Sequence, residues 1–131
     1  MKYNKENCSL KINLLKEKVK SGETQNFDWR IKQLNKIDNL IDNHKFEIIN
    51  ALKLDLGKSK IEALAEILLV KEEISLVKRK LRSWMRPKII NTPIYLLPLS
   101  SKIIFEPIGC VLILGPYNYP LLNIHQRFKN I

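Results

Sequence analysis

The sequence has few of the residues that build a phosphate-binding fold. Glycine occurs only 4 times in 131 residues. A complete nucleotide-binding α/β domain needs more, because its tight strand-to-helix turns require positive φ. Cysteine occurs twice, as Cys8 and Cys110. Two cysteines exclude a disulfide framework, and no C-x-x-C spacing offers a metal site. Cys8 lies in a polar stretch, whereas Cys110 adjoins an apolar run and is expected to be a small buried hydrophobe. No apolar run approaches the roughly 18 residues of a membrane span. The first residues, MKYNKENCSLKINLLKEK, hold no apolar core of signal-peptide length. A reduced, cytoplasmic protein is the expectation. Acidic residues nearly vanish from the second part of the chain. Residues 1–73 carry 14 basic and 12 acidic side chains, whereas residues 74–131 carry 9 basic ones and a single acid, Glu106. The net charge of +10 is therefore concentrated late in the sequence. Such a surface can attract nucleic acid, anionic membrane or an anionic cofactor, or face acidic surface on a partner.

What remains is an ordinary globular composition, 45% hydrophobic and 27% charged, enough for one domain with a modest core. Helical periodicity dominates the first two thirds. Leu10, Leu14 or Leu15, and Val19 give a weak amphipathic pattern near residues 8–20. Phe27, Ile31, Leu34 and Ile41 recur at steps of three, four and seven, which is one face of a helix, with Thr24 as its expected N-cap. The pattern renews after Asp42-Asn43-His44 with Phe46, Ile49 and Leu52, and ends at Gly57. Ser59 and Glu62 read as a capping box. A long helix should follow with Ile61, Leu64, Ala65, Leu68, Ile74, Val77, Leu81 and Trp84 as its buried stripe, stopped by Pro87.

After residue 86 the character changes. All 6 prolines lie there, and TPIYLLPL, SKIIFEPIG and GCVLILG are short β-rich runs between them. Val111 to Leu114 are apolar at every position, as in a strand buried on both faces of a parallel sheet. Gly115 then opens the turn G-P-Y-N-Y-P, in which Pro116 and Pro120 bracket Tyr117, Asn118 and Tyr119. A stiff turn presenting the amide of Asn118 can stabilise an oxyanion formed in carbonyl chemistry. It is also what a proline-bounded loop looks like when Asn merely accommodates its backbone. Lys78, Arg79, Lys80, Arg82, Arg86 and Lys88 surround Trp84 and could grip phosphates. The simpler reading is a solvated helix face with Trp84 packed inward. His44 and His125 have no companion ligands in the sequence, so a surface role is expected for each and no metal site.

The segment EPIGCVLILGPYNYP resembles the start of the coenzyme-binding domain of NAD(P)-dependent aldehyde dehydrogenases, above all the class that includes the fatty-aldehyde and class 3 enzymes. FDWRIKQLNKIDNLIDNHKFEIINALKLDLGKS is similar to that family's second helix pair, and LVKEEISLVKRKLRSWMRPK to the next helix and its exit. The resemblance spans roughly residues 13–122. It implies that Asn118 helps hold the carbonyl oxygen of the bound aldehyde. It also implies that Leu114, Gly115, Pro116 and Tyr117 lie near the nicotinamide end of the cofactor. At Tyr117 the family more often has Trp. The sequence TPIYLLPLSSKIIFEP would belong to a β-hairpin arm used in dimerisation.

The implied fold class is an α/β fragment. Its parts are a helical segment over 1–88, arm strands over 89–109, and over 110–131 the first strand of a truncated Rossmann-like coenzyme domain. The family's catalytic cysteine and general base have no counterpart at matching positions, and LLNIHQRFKNI departs from the family after residue 124. The expectation is an N-terminal fragment, inactive alone, of an enzyme that oxidises an aldehyde to a carboxylate with NAD or NADP and forms a homodimer. Two alternatives belong to other classes: an interaction module docking on a full-length aldehyde dehydrogenase, and a small basic nucleic-acid-binding protein.

Overall fold

The computed structural model describes the backbone of residues 5–127 and the side chains of residues 8–123. Its helices are α1 (Lys5–Lys20), α2 (Phe27–Asn43), α3 (Lys45–Leu56), α4 (Lys60–Trp84) and α5 (Pro120–Arg127). Strands β1 (Lys88–Ile90) and β2 (Ser101–Ile103) lie between α4 and α5. The start of α2 is capped by Asn26, whose side chain accepts from the Trp29 N–H at 3.0 Å. The expected cap, Thr24, lies instead inside a short 3₁₀ turn over Glu23–Gln25, where its carbonyl accepts from Arg30 Nε at 2.8 Å. Asn and Thr both satisfy a first-turn N–H, and the 3₁₀ turn gives the place to the residue after it. Gly57 closes α3 in the left-handed region with φ 65°, as its position predicts. Two residues later the capping box forms. Ser59 Oγ accepts from the Glu62 N–H at 3.2 Å, and Glu62 accepts from the Ser59 N–H at 2.8 Å.

Helix α4 is the axis on which α2, α3 and α5 pack. Ile41 of α2 and Ile67, Val70 and Ile74 of α4 form the central cluster, covered by Leu34, Ile48, Ile49, Leu121 and Leu122. The buried face of α4 is Ala63, Glu66, Ile67, Val70, Ile74 and Leu81. That corrects the expected stripe, of which only Ile74 and Leu81 are fully buried. Ile61 and Leu68 are exposed. Trp84, expected inside, is 43% exposed on the last turn. The cause is that α4 is apolar nearly all round, so periodicity alone cannot choose its inner face. The packing of α2, α3 and α5 makes the choice.

The expected strands are only partly realised. β1 pairs antiparallel with β2 in the register Lys88↔Ile103, Ile89↔Lys102 and Ile90↔Ser101. TPIYLLPL contributes a 3₁₀ turn over Ile94–Leu96 instead of a strand, between prolines that lack the N–H a ladder needs. Residues 111–114 are not a strand either, and Val111, Leu112 and Leu114 are all exposed. A strand exists only with a neighbour to take its hydrogen bonds, and none of the described residues pairs with this run. Cys110 is exposed for the same reason, against the expectation of burial. The architecture is thus a mostly helical α/β chain with a two-stranded sheet. His44 is exposed as expected, and the side chain of His125 lies outside the described residues.

Candidate functional site

The G-P-Y-N-Y-P turn leads directly into α5. Its geometry centres on Asn118. Asn118 Oδ1 accepts from the Tyr119 N–H at 3.1 Å and from Asn123 Nδ2 at 3.5 Å. A backbone N–H can only donate, so the atom facing it must be the amide oxygen. That fixes the orientation of the amide. No hydrogen bond from its Nδ2 to a described residue is found. Asn118 is exposed. The amide therefore keeps two N–H groups available for a ligand, on a turn stiffened by Pro116 and Pro120. Tyr117 is 83% exposed beside it, and Leu114 and Gly115 are exposed as well. The five expected site residues, Leu114, Gly115, Pro116, Tyr117 and Asn118, are thus consecutive in the chain and all exposed.

The turn is tied down from beneath by residues that sequence reasoning missed. Glu66 projects from the inner face of α4 with a fully buried side chain. Its Oε1 accepts from the backbone N–H groups of Leu121 and Leu122, at 2.9 and 3.3 Å. These are among the unpaired donors of the first turn of α5, and a carboxylate there also meets the positive end of the helix dipole. Glu66 Oε2 accepts from Lys58 Nζ at 2.5 Å. The same Nζ lies 4.0 Å from the centroid of the Tyr119 ring. The signal for Glu66 shows only once the inner face of α4 is known. It keeps phase with Ala63, Ile67 and Val70, an acid placed inside an apolar stripe.

The basic cluster around Trp84 is not assembled for phosphate. Lys78 is paired with Asp38 at 2.7 Å, Arg82 stacks 4.3 Å from the Phe27 ring, and Lys88 lies 5.1 Å from the Phe105 ring. These contacts use half of the cluster inside the fold. Among the described residues no group of three potential ligands could hold a metal ion, and no helix is long and apolar enough to cross a membrane. Cys8 and Cys110 are both free and exposed.

Comparisons with known proteins identify the family. Residues 2–129 match the aldehyde dehydrogenase family. Aldehyde dehydrogenase family 3 member H1 of Arabidopsis thaliana is 38% identical over 109 residues, 82% of this chain and 22% of the relative. The 4,4'-diaponeurosporen-aldehyde dehydrogenase of Staphylococcus aureus is 40% identical over 99 residues, 75% of this chain and 22% of that protein. A solved structure, the substrate-bound state of Staphylococcus aureus AldH, superposes with a TM-score of 0.84 at 34% identity. The superposition covers 95% of this chain and 26% of that one. The chain thus spans about a quarter of the length of the relatives it matches. By sequence over nearly its whole length, and by fold at that level of identity, the chain belongs to the aldehyde dehydrogenase family.

Proposed function

We propose that residues 111–120 form one wall of an aldehyde dehydrogenase active site, with Asn118 as the donor to the aldehyde oxygen. The observation that carries this reading is the exposed amide of Asn118, its oxygen engaged by Tyr119 and Asn123 and its Nδ2 left for a ligand. As the aldehyde carbon becomes tetrahedral, its oxygen gains negative charge. A pre-oriented N–H donor stabilises that charge without having to turn toward it. Leu114, Gly115, Pro116 and Tyr117 fit the nicotinamide end of NAD or NADP. Gly115 lets a ring approach the backbone, and Tyr117 offers an exposed aromatic face. When bound, NAD(P)+ supplies the hydride acceptor. The described residues do not fit its phosphates, because Glu66 already occupies the first turn of α5.

The assembled enzyme, in this reading, oxidises an aldehyde to a carboxylate, and these 131 residues alone carry no dehydrogenase activity. Residues 1–88 serve as the helical part, 89–109 as the dimerisation arm built on β1 and β2, and 110–131 as the start of the coenzyme-binding domain. There the apolar run 111–114 becomes the first strand of a Rossmann-like sheet once neighbours flank it. A cytoplasmic location goes with this reading.

The test is a hybrid enzyme in which this chain replaces the matching quarter of the Staphylococcus aureus relative. Asn118→Ala should lower kcat by about 10²–10³-fold, the usual loss for one oxyanion donor, with KM little changed. Asn118→Asp should lose activity at least as severely, because a carboxylate repels the developing charge. Full kcat in Asn118→Ala would sink the assignment.

A further inference from the structure

The geometry points to Glu66 as the residue that positions Asn118, acting through a buried clasp with Lys58. The inference rests on the role given to Asn118 above. Two routes of contact leave Glu66 and meet at one atom. By the first, Oε1 fixes the N–H groups of Leu121 and Leu122 and so the first turn of α5. That turn includes Asn123, whose N–H donates to the Tyr119 carbonyl at 3.0 Å and whose side chain donates to Asn118 Oδ1. By the second, Oε2 holds Lys58, and Lys58 lies against the Tyr119 ring. The Tyr119 N–H in turn donates to Asn118 Oδ1. With Oδ1 held from both sides, the amide plane and so the place of Nδ2 are set by these constraints.

Other roles for Glu66 do not fit. A general base needs a lone pair open to the proton it takes. Here the side chain has no exposed surface, and both oxygens are engaged by three donors. A packing role alone would be served by a leucine, which needs no partner. A charge at this depth is costly unless fully paired, and the pairing found here is with the two elements that carry the turn.

The arrangement also explains why the turn can be both exposed and rigid. Its outer face bears few contacts, so its rigidity has to come from below. Leu121 and Leu122 pack on the central cluster of Ile41, Ile67, Val70 and Ile74. Glu66, from the same face of α4, adds direction to that anchoring. Apolar packing alone would allow α5 to slide or rotate, whereas two N–H bonds to one carboxylate oxygen set its start.

Two measurements test the inference. In the full 131-residue chain, hydrogen exchange is read on the backbone amides of Leu121 and Leu122. Glu66→Gln and Lys58→Met should each speed it by about tenfold or more, since charge-assisted hydrogen bonds are lost. The amides of α2 and of the central turns of α4 should keep their protection, which shows that the fold survives. Lys58→Arg, which keeps the cation, should restore slow exchange at both leucines. Unchanged exchange in both variants overturns the clasp.

The second measurement is a double-mutant cycle on kcat in the hybrid enzyme. Glu66→Gln should lower kcat by about ten- to a hundredfold through misplacement of the amide, and Lys58→Arg should recover most of the loss made by Lys58→Met. Combined with Asn118→Ala, Glu66→Gln should cost almost nothing further, because the group it positions is already gone. Losses that multiply would mean a merely structural role and overturn the positioning. A normal kcat in Glu66→Gln while Asn118→Ala is crippled overturns the positioning and leaves the site reading intact. A normal kcat in Asn118→Ala overturns the site reading, and the positioning role with it.

Discussion

At the scale of single residues, charge placement decides which helices stay together and over what pH range. Asp38 of α2 meets two lysines of α4, Lys78 at 2.7 Å and Lys71 at 3.2 Å, and Lys71 also reaches Asp42 at 2.5 Å. The hydrogen bond from Lys78 holds the Asp38 carboxyl below its ordinary value of 3.8, against the upward push of partial burial and with help from Lys71. The hydrogen bond to Asp42 holds Lys71 above its ordinary 10.5, against the downward push of partial burial and with help from Asp38. The folded state thus favours both charged forms. The contribution of Asp38 is complete above the ordinary aspartate value and is lost as pH falls through its lower folded value. That of Lys71 is complete below the ordinary lysine value and is lost as pH rises through its higher folded value. Asp38→Asn should cost about 1 kcal/mol at neutral pH, the scale of a partly exposed ion-pair network. Urea unfolding followed by helical circular dichroism should show the gap to wild type closing in strong acid, and a gap independent of pH would contradict the network. The sequence shows such residues unevenly. Asn118 stands out in the sequence because its turn is bracketed by prolines and the resemblance covers it. Glu66 does not, because an acid in a 25-residue helix reads as solvated unless the inner face is already known. That face depends on α2, α3 and α5, which single-helix periodicity does not see.

At the scale of elements, helix ends were read more reliably than helix faces. Gly57 and the Ser59–Glu62 box rest on local backbone chemistry, and both form where the sequence places them. The inner face of α4 and a strand over 111–114 both depend on contacts far along the chain; the first differs from the expected stripe, and the second is not formed among the described residues. Between α3 and α4 the local signals converge on one corner. Gly57 takes the left-handed conformation, and the N–H groups of Gly57 and Lys58 donate to the carbonyls of Lys53 and Leu52. Ser59 then starts the next helix, with the Glu62 carboxyl held below its usual range by its hydrogen bonds to Ser59. This corner also aims Lys58 at Glu66. Ser59→Ala should therefore lower stability by about 1 kcal/mol, the usual loss for an N-cap. Gly57→Ala should cost a similar ~1 kcal/mol, although its added methyl meets nothing within 4 Å, because only the positive φ opposes it. Melting curves of the two variants would check this. A neutral Gly57→Ala would mean that the corner yields to another conformation, and the aim of Lys58 would not depend on it.

At the scale of the whole molecule, the surface is larger than that of a compact monomer of this mass. The accessible area is 10825 Å², whereas a compact chain of 15.4 kDa exposes about 7,200 Å². The excess of roughly 3,600 Å² is not spread evenly. Ile61 and Leu68 line the outer face of α4. Ile89, Ile94, Tyr95, Ile108, Leu112 and Leu114 stand exposed along the β segments and the run into the turn. A helix apolar on both faces belongs between two layers, and apolar extended segments without strand partners belong beside others. Exposed apolar area of this extent is the kind that drives association. In solution alone, the chain should therefore bind an apolar fluorescent dye and sediment as species whose size grows with concentration, while its helical circular dichroism persists. Joined to the remaining three quarters of its Staphylococcus aureus relative, the same residues should lose dye binding and sediment as one discrete species. The two results together would show that the exposed faces are interior surface of a larger fold. A dilute chain that binds no dye and stays monomeric would show instead that α1 and the segments around β1 and β2 fold back to cover those faces.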